Sequence, residues 1–266
     1  MIYFTLRGGL GNMMFQIASV TSIAISKNTQ ASFGSLESHL NYLNGENYFN
    51  PKLNHSYEYK HLNMFKNILS KNPETNLKVY TYPFHYSNIN IPEDEVILDG
   101  FFQSEKYFIK HEKEIKELFK PTQDVLDTIN DKYGHLLSGN TISLHVRRGD
   151  YVNNSRNHPP CSIEYYSQAL DTLSGDKVLV FSDDIKWCKD VFIGDRFIYI
   201  DDEKDYIELY MMSLCKNNII SNSSFSWWGA WLNNNIDKKV VSPKKWFGPN
   251  IKHNTNDIIP ESWIKI

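Results

Sequence analysis

The stretch Thr141–Tyr151, TISLHVRRGDY, decides the fold of this 266-residue chain. It begins as a short apolar run and changes after Val146 to two arginines, a glycine and an aspartate. Short apolar runs bounded in this way are typical of buried strands. Thr141–Val146 is therefore predicted as a strand whose carboxyl end carries the charged residues.

The segments that follow alternate between strand and helix patterns. Four more short runs predict strands at Val178–Ser182, Phe197–Ile200, Asn218–Ser221 and Val240–Ser242. Segments with helical patterns lie between them and predict helices at Ser162–Thr172, Ile185–Phe192, Asp205–Cys215 and Ser226–Asn233. Such alternation is typical of a parallel sheet with helices on both faces, so this half is predicted as an α/β domain.

The N-terminal half opens with the same kind of unit. Ile2–Leu6 is predicted as a buried strand, and a glycine-rich turn leads into a helix at Asn12–Ser26. A second strand is predicted at Val96–Asp99, followed by a helix from Ser104 to Lys120 that the next residue, a proline, ends. Residues 35–95 are polar and weakly periodic, which is compatible with short helices, loops or an acceptor surface.

The charged and polar stretch Pro121–Asn140 separates the two halves. We therefore predict an N-terminal half of residues 1–130 and a C-terminal half of residues 131–266. The predicted fold class is α/β, with two halves in one chain.

Composition excludes several classes of protein. With 28 Lys+Arg against 31 Asp+Glu the net charge is −3, so the chain as a whole lacks the basic surface of a nucleic-acid binder. Cys161, Cys188 and Cys215 are odd in number and widely spaced, which favours reduced thiols over a disulfide framework or a zinc site. No apolar window is long enough to span a membrane, and no secretion signal is visible. We therefore expect a cytoplasmic protein.

The charged residues after the strand Thr141–Val146 indicate an anion site. Ligands of open parallel sheets bind just past the carboxyl ends of the strands. Arg147 and Arg148 offer planar guanidinium groups there that match phosphate oxygens. Gly149 permits a sharp turn, and Asp150 can orient an arginine or take a proton. The alternative is a surface ion cluster.

A second predicted strand end carries Asp183 and Asp184. These carboxylates can accept hydrogen bonds from a ribose or a base, or they can cap the following helix. Adjacent aspartates also suggest a metal-dependent transferase, although the spaced Asp-x-Asp pattern is missing. Asp201 and Asp202 leave the same alternatives open.

A third strand end leads into Ser221–Gly229, SNSSFSWWG. Backbone N–H groups and hydroxyls at a helix N-terminus form an anion site, and a capped structural turn is the alternative. Trp227 and Trp228 either pack in the core or face a sugar. On the preceding predicted helix, Glu208 either pairs with a guanine edge or lies on an exposed face.

Three polar strand ends on one parallel sheet together predict a site for a nucleoside diphosphate. The turn Gly8–Gly11 is weaker evidence for a nucleotide site. It lacks the complete glycine fingerprint of dinucleotide-binding proteins and the acidic residue about 20 positions further on. A nicotinamide-dependent dehydrogenase is therefore disfavoured.

Several of these motifs resemble one enzyme family. HVRRGDY at His145–Tyr151 resembles the signature of transferases that use GDP-fucose. CKNNII followed by SNSSFSWWGAWLN, at Cys215–Asn233, resembles the α-1,2-fucosyltransferases of glycosyltransferase family 11. RGGLGNMMFQ at Arg7–Gln16 is similar to that family's opening motif, from which Met13 and Met14 depart. LDGFFQSEKYF at 98–108 and CSIEYY at 161–166 are also similar to the family.

The resemblance implies a GT-B-like fold, in which two Rossmann-like halves face a cleft. It implies GDP-β-L-fucose as the donor, a galactose-containing glycan as the acceptor, and no required metal or other cofactor. The donor is expected in the C-terminal half. The N-terminal half, with the turn at 8–12 and the segment at 101–107, is expected to shape the cleft and admit the acceptor.

The resemblance also implies roles for individual residues. Arg147 is expected to bind the β-phosphate with support from Arg148. The chemistry of an inverting transfer then makes Asp150 the candidate general base; the alternatives are that Asp150 only orients Arg147 and that the leaving phosphate takes the proton. The remaining expected donor contacts are His145, Asp183 and Glu208 for the guanosine, Ser223 and Ser224 for the phosphates, and Gly9 and Asn12 in the N-terminal turn.

Two other functions stay open at this point. The chain can be a metal-dependent nucleotide-sugar transferase that uses Asp183 and Asp184 with another donor. It can also be a non-catalytic carbohydrate-binding protein that uses its tryptophans. By analogy with the family, we expect the protein to act in the assembly of a bacterial polysaccharide, in the cytoplasm or at the periphery of the inner membrane.

Overall fold

The computed structural model describes residues 1–34, 62–74 and 76–266. The chain forms two compact units. Unit 1 contains Met1–Thr122 and His253–Pro260, and unit 2 contains Gln123–Lys252 and Glu261–Ile266. Of the polar stretch 35–95, for which short helices, loops or an acceptor surface were expected, residues 35–61 and residue 75 lie outside the described residues.

Unit 1 is built around a parallel sheet. Its described strands are β1 (Ile2–Phe4), β2 (Ala31–Ser32), β3 (Val79–Thr81) and β4 (Val96–Asp99). They pair in the order β2-β1-β4-β3, and every pairing is parallel. The described helices are α1 (Leu10–Ser26), α2 (Asn63–Lys66) and α3 (Glu112–Leu118). The predicted α/β character of this half is therefore present, with α1 buried along most of its length.

The predicted helix from Ser104 to Lys120 is wrong in its first half. Two short 3-10 helices, Glu105–Tyr107 and Ile109–His111, precede α3. Ser104 does cap the first of them, because its side chain accepts a hydrogen bond from the N–H of Lys106. Phe108 separates the two with a φ of −135°, which is not helical. This break allows the adjacent Tyr107 and Phe108 to be buried together, which a continuous helix with one apolar face does not favour.

Unit 2 contains a six-stranded parallel sheet. Its described strands are β5 (Thr141–Val146), β6 (Lys177–Ser182), β7 (Phe197–Ile200), β8 (Asn217–Ile219), β9 (Val240–Ser242) and β10 (Ile264–Lys265). The order β10-β9-β8-β5-β6-β7 places β5 in the interior of the sheet. The described helices are α4 (Gln123–Leu137), α5 (Gly149–Asn153), α6 (Ile163–Thr172), α7 (Ile185–Val191), α8 (Asp205–Leu214) and α9 (Ser224–Trp231).

The strand order of unit 2 indicates where a sheet of this kind would bind a ligand. From β5 the chain proceeds through β6 to β7 on one side, then returns to β8 on the other side and continues to β9 and β10. The order therefore reverses between β5 and β8. In doubly wound sheets the ligand crevice lies outside the carboxyl ends of the strands at this reversal.

The predicted boundary between residues 130 and 131 falls inside α4 (Gln123–Leu137), whereas the units divide between Thr122 and Gln123. This helix packs against α8 (Asp205–Leu214) within unit 2. Lys132 and Tyr133 also bond to one carboxylate oxygen of Glu203, at 3.0 and 2.8 Å. The polar stretch that resembled a linker is therefore a helix with a polar outer face.

The two adjacent tryptophans of α9 belong to the core. Trp227 and Trp228 are both 0% exposed, and they contact each other with ring centroids 5.0 Å apart. Gly229 allows this helix to lie against α8, since a Cβ there would come within 2.8 Å of the Met212 Cβ. Of the two expectations for these tryptophans, the sugar-facing one is therefore wrong. The carbohydrate-binding function that rested on them loses its basis.

All three cysteines lie in the described part of the chain and carry free thiols. No helix among residues 1–34, 62–74 and 76–266 combines the length and the apolar composition that a bilayer span needs.

Candidate functional site

The carboxyl ends of β5, β6 and β8 bring the polar residues of unit 2 together. At the reversal of strand order, Nδ1 of His145 lies 2.8 Å from Oγ of Ser221. His145 is the penultimate residue of β5, and Ser221 follows β8 by two positions. This buried contact joins the two strands that flank the expected ligand crevice.

Arg147 is held by three neighbours. Its Nη2 donates a 2.6 Å hydrogen bond to Oδ1 of Asp150, and its Nη1 lies 2.9 Å from Oδ2 of Asp183 as an ion pair. The guanidinium also lies over the ring of Tyr151, 5.3 Å from the centroid. Gly149 makes room for this arrangement, because a Cβ there would come within 2.4 Å of Oδ2 of Asp183. The guanidinium is thus fixed while 26% of its side chain stays exposed.

Arg148 is fixed by a separate set of contacts. Its backbone N–H donates to Oδ1 of Asp183 at 2.8 Å, and its Nε donates to Oδ2 of Asp184 at 3.0 Å. Its guanidinium lies 4.0 Å from the ring centroid of Trp187. The side chains of the two neighbouring arginines therefore pair with different carboxylates and lie over different aromatic rings. Asp183 contacts both residues, through the side chain of Arg147 and the backbone N–H of Arg148.

Asp184 has one of the roles considered for it, the helix cap, and a second role that the sequence did not indicate. It is the N-cap of α7, where its Oδ1 accepts a 3.2 Å hydrogen bond from the N–H of Trp187. Its other oxygen pairs with Arg148. Asp201 pairs with Lys189 at 3.0 Å near the surface. The described residues contain no group of three or more His, Cys, Asp or Glu side chains that could hold a metal ion.

The serine-rich turn after β8 is rigidly anchored. Asn222 donates from Nδ2 to the carbonyls of Pro159 and Trp246, each at 3.0 Å. Ser223 occupies the N-cap position of α9, but its side chain makes no capping hydrogen bond. Ser223 is 8% exposed, and Ser224 is the first residue of the helix. The hydroxyl of Ser223 is therefore not committed to the helix end, where amide groups attract anions.

Glu208 lies on α8 and is half-buried. Burial raises its pKa well above the ordinary value, and the neighbouring carboxylates of Asp205, Glu203 and Asp183 act in the same direction. A carboxyl group with a raised pKa keeps its proton at higher pH and can donate a hydrogen bond as well as accept one. The effect of Asp183 places Glu208 within electrostatic range of that carboxylate.

His145 is held neutral. It is 5% exposed, and burial together with the positive charge of Arg147 lowers its pKa to about 3. A neutral imidazole has one nitrogen that donates and one that accepts. One of these nitrogens is already engaged with Ser221. The other can present a hydrogen-bonding group to a ligand without adding a further charge beside the arginines.

We expect the neutral state of His145 to make the fold sensitive to acid. Because the folded-state pKa is about 3 and the unfolded value is 6.5, only the unfolded state binds this proton between those pH values. The free energy of unfolding should therefore fall as pH falls from 6.5, by about 1.4 kcal/mol per pH unit for this group. Above pH 6.5 the contribution is constant.

The measurement is urea unfolding at pH 5, 6, 7 and 8 for the wild type and for His145→Gln, which cannot titrate. The difference in unfolding free energy between the two proteins should shrink with acidification below pH 6.5. A difference that stays constant over this range would show that His145 titrates normally in the fold.

Three side chains to which the sequence analysis assigned no role also contact the site: Tyr151, His158 and Trp187. Tyr151 donates from its hydroxyl to the carbonyl of Asn222 at 3.2 Å, which links α5 to the serine turn. The imidazole of His158 stacks on the same ring, with centroids 5.1 Å apart. Trp187 lies under Arg148. Tyr151 was visible as the last residue of the arginine motif, whereas the position of Trp187 depends on the cap at Asp184.

The site residues expected from the sequence fall into two groups. Of the ten, eight belong to unit 2: His145, Arg147, Arg148, Asp150, Asp183, Glu208, Ser223 and Ser224. Direct contacts join Arg147 and Arg148 to Asp183, and Arg147 to Asp150. Gly9 and Asn12 belong to unit 1, where Gly9 is the N-cap of α1 and Asn12 lies in its first turn.

Comparison with known proteins gives a consistent result along the chain. Residues 2–266 match the model of glycosyl transferase family 11. The O-antigen biosynthesis glycosyltransferase WbnK of Escherichia coli is 32% identical over 308 aligned positions, which cover 100% of both chains. An alpha-1,2-colitosyltransferase of the same species is 32% identical and covers 98% of this chain and 97% of its own.

Among solved structures, the fucosyltransferase NodZ from Bradyrhizobium superposes with a TM-score of 0.53 at 14% sequence identity. The superposition covers 86% of this chain and 90% of that chain. NodZ, described as an alpha-1,6-fucosyltransferase, has also been solved after soaking with GDP-fucose. At this identity the likeness concerns the fold, and it confirms the predicted GT-B-like α/β class.

Proposed function

This chain belongs to glycosyltransferase family 11, and on that premise we propose that it transfers L-fucose from GDP-β-L-fucose to a glycan. The proposed acceptor group is O2 of a terminal galactoside, and the product is an α-fucoside. Family membership establishes that the chain is a glycosyltransferase. The donor, the acceptor and the linkage are the proposed parts.

The observation that carries the proposal is the pair of fixed arginines at the reversal of strand order in unit 2. Arg147 and Arg148 follow β5 directly, and Asp183 holds the side chain of one and the backbone of the other. Two guanidinium groups in this position match a diphosphate, which carries its charge on several oxygens. A nucleoside diphosphate is the leaving group of the proposed reaction.

The arginines then act on the charge that develops during transfer. The bond between the anomeric carbon and the β-phosphate oxygen breaks, so that positive charge grows on the sugar and negative charge on GDP. Arg147, already aligned by Asp150 and Asp183, stabilises the phosphate without having to reorganise. Arg148 supports the diphosphate from its place over Trp187.

The acceptor hydroxyl attacks the anomeric carbon from the face opposite GDP, which converts a β-linked donor into an α-linked product. Its proton passes to a base, and Asp150 is the proposed one. The carboxylate of Asp150 is 38% exposed and has one oxygen on Arg147. It is therefore reachable by an acceptor while it helps to orient the arginine.

The rest of the donor is proposed to bind in the same unit. His145, Asp183 and Glu208 supply donors and acceptors for the guanosine, since His145 is neutral and Glu208 has a raised pKa. Ser223 and Ser224 contribute hydroxyls at the start of α9 for the phosphates. Gly9 and Asn12 belong to unit 1. We propose separately that they also contact the donor.

A second candidate donor is GDP-colitose, because one 32% identical relative is an alpha-1,2-colitosyltransferase. Colitose is L-fucose without the 3-hydroxyl. An enzyme that hydrogen-bonds this hydroxyl discriminates strongly against the sugar that lacks it. The choice between the two donors therefore depends on whether the enzyme hydrogen-bonds the 3-hydroxyl of the sugar. The relative kcat/KM for the two donors measures this preference directly.

The test is a transfer assay in which GDP-fucose and GDP-colitose are compared at equal concentration, with lactose and an array of galactose-terminated glycans as acceptors. We expect kcat/KM to be higher for GDP-fucose, NMR of the product to show an α-1,2 linkage, and activity to be unchanged in EDTA. A higher kcat/KM for GDP-colitose would show that the proposed donor, GDP-fucose, is wrong. Loss of activity in EDTA with recovery on adding Mn²⁺ would favour the metal-dependent alternative.

The proposal also includes the biological process and the cellular location in which the protein acts. One 32% identical relative takes part in O-antigen biosynthesis. We propose that this chain acts in assembly of a bacterial surface polysaccharide, in the cytoplasm or peripherally at the inner membrane. The acceptor would then be a growing glycan and not a free sugar.

A further inference from the structure

His158 lies in the loop that follows α5, and its half-buried imidazole contacts the aromatic ring beside Arg147. That ring belongs to Tyr151, and the two rings stack with centroids 5.1 Å apart at an angle of 26°. The guanidinium of Arg147 lies over the same ring, 5.3 Å from its centroid. Tyr151 is therefore a direct link between His158 and the arginine proposed to act on the phosphate.

The ring of Tyr151 contributes something to the placement of Arg147 that the carboxylates do not. Asp150 and Asp183 pair with the nitrogens of the guanidinium, at 2.6 and 2.9 Å, and thereby hold its edge. An aromatic face instead holds the plane of a guanidinium, because the two stack face to face. If the ring of Tyr151 turned, the guanidinium could rotate while both carboxylates kept their contacts.

The hydroxyl of Tyr151 does not by itself fix the plane of its ring. It donates to the carbonyl of Asn222 at 3.2 Å. A tyrosine ring rotates about the axis from Cβ to the hydroxyl oxygen, so a hydrogen bond at the hydroxyl lies on that axis and leaves the rotation free. A contact with the face of the ring is needed to stop the rotation, and the stacked imidazole of His158 supplies one.

The imidazole of His158 has a defined place in its loop. The backbone N–H of His158 donates to the carbonyl of Asn154 at 2.8 Å. Its ring contacts Phe247 edge to face, with centroids 5.4 Å apart. Gly248 permits the close approach of that segment to the loop, since a Cβ there would come within 2.4 Å of the carbonyl oxygen of Arg156. The backbone and a second ring therefore hold the imidazole against Tyr151.

The charges that act on His158 are those of the arginine site. Burial lowers the pKa of His158, the carboxylate of Asp150 raises it, and the positive charge of Arg147 lowers it. Phe247, on the segment packed against the imidazole, carries no charge. Burial raises the pKa of Tyr151 to about 12, so its phenol stays neutral. A protonated His158 would therefore repel Arg147, attract Asp150 and compete for the face of Tyr151.

We propose that His158 is a positioning residue for Arg147: its neutral imidazole holds the face of Tyr151 against the guanidinium, and its protonation disturbs this arrangement and slows transfer. The inference rests on the proposed function, since it concerns the arginine to which that function assigns the phosphate. In this role His158 acts through Tyr151 and touches neither substrate.

The first test is steady-state kinetics with GDP-fucose and lactose between pH 5 and pH 8. At pH 8, His158→Ala should lower kcat about tenfold, which corresponds to about 1.4 kcal/mol and lies within the range of one cation–π contact. The KM for lactose should stay within about twofold of the wild type, because Arg147 acts on charge in the transition state. His158→Phe keeps a stacked ring and should bring kcat back toward the wild-type value.

The pH profile separates positioning from a merely structural role. In the wild type, kcat should fall as the pH drops below 6.5, because His158 then begins to bind its proton at a pKa lowered from that value. His158→Phe cannot titrate and should lack this fall. The matched control is His135→Ala, which removes an exposed histidine of α4 in the same unit and should keep the wild-type profile.

Three kinetic results would overturn the proposal. The first is a folded His158→Ala variant with the kcat of the wild type at pH 8. The second is a His158→Phe variant as slow as the alanine variant at that pH. The third is an acid fall in kcat that is the same in His158→Phe as in the wild type.

A second measurement needs no donor. The chain has five arginines, so protein labelled with ¹³C at the arginine Cζ should give few resonances, and the one lost in Arg147→Lys identifies Arg147. Between pH 7.5 and pH 5 this resonance should shift with the midpoint of the His158 imidazole resonances, and in His158→Phe it should not shift. No shift in the wild type, or an equal shift in His158→Phe, would refute the positioning role. The expected shifts in a protein that does not transfer from GDP-fucose would refute the proposed function and leave the positioning role standing.

Discussion

Replacement of Arg147 by alanine should lower kcat for fucosyl transfer by about 10²–10³, which is the usual effect of removing one fixed group that stabilises transition-state charge. The guanidinium is aligned before the donor binds, by Asp150 at 2.6 Å and Asp183 at 2.9 Å. Its contribution should therefore appear mainly in kcat and less in the KM for GDP-fucose. Steady-state kinetics with GDP-fucose and lactose will separate the two parameters.

Arg156→Ala is the matched control, because Arg156 is exposed and lies in the same unit. It should retain the activity of the wild type. Arg147→Lys, which keeps the charge but loses the planar fork, should fall between the alanine variant and the wild type. If Arg147→Ala is folded by circular dichroism and transfers fucose at the rate of the wild type, the proposed role of this arginine is wrong.

Replacement of Asp183 by alanine should damage both stability and activity. Asp183 is 10% exposed and contacts the side chain of Arg147 and the backbone N–H of Arg148. Its loss leaves Arg147 with one carboxylate where it had two, and leaves the N–H of Arg148 without its acceptor; breaking a buried charge pair costs about 3–5 kcal/mol. Because Arg147 keeps 26% exposure, we expect a value near the lower end, about 3 kcal/mol.

The activity of Asp183→Ala should fall by at least about 10², since Arg147, the arginine proposed to act on the phosphate, loses one of its two carboxylates. Asp184→Ala is the comparison variant: it removes the N-cap of α7 and the partner of the Arg148 side chain, and it should lower the free energy of unfolding by about 1–2 kcal/mol. Urea unfolding and kcat/KM are the measurements. If the two substitutions lower the free energy of unfolding equally and also lower kcat/KM equally, Asp183 does not support the arginines more than Asp184 does.

Much of unit 2 could be predicted because its strands are short, apolar and separated by helices. The strands Thr141–Val146, Phe197–Ile200 and Val240–Ser242 begin and end at the predicted residues. In unit 1 the strand Val96–Asp99 does so as well. Buried parallel strands consist almost entirely of apolar residues, so their ends coincide with the first charged or polar residues.

Other elements could not be predicted, because their physical causes lie outside the local pattern. In α4 only Val125 and Ile129 of 15 residues are buried, so the segment has the polar composition of a linker. The sheet order that places His145 beside Ser221 depends on pairing between β5 and β8, some 70 residues apart in the sequence. The positive φ of Phe102 runs against the preference of its own residue type.

The sequence indicated which residues belong to the candidate site, but it did not show which of them contact one another. The motif His145–Tyr151 contained the arginines. Asp183 was predicted to lie near them because it follows the next strand, and the carboxyl ends of parallel strands meet at one edge of the sheet. No pattern showed that Asp183 supports both arginines or that Asp184 is a cap and an ion-pair partner at once. Those facts depend on side-chain distances between two strand ends that the sequence places more than 30 residues apart.

The course of the chain near its C-terminus has a practical consequence. His253–Pro260 belongs to unit 1, and Glu261–Ile266 returns to unit 2, where Ile264 pairs with Val241 of β9. A fragment that stops at Lys252 would leave β9, whose three residues are all buried, as an uncovered edge strand. Unpaired apolar edges promote association between copies. Anyone who isolates unit 2 should therefore restore the last six residues as a covering strand, or expect a product that aggregates.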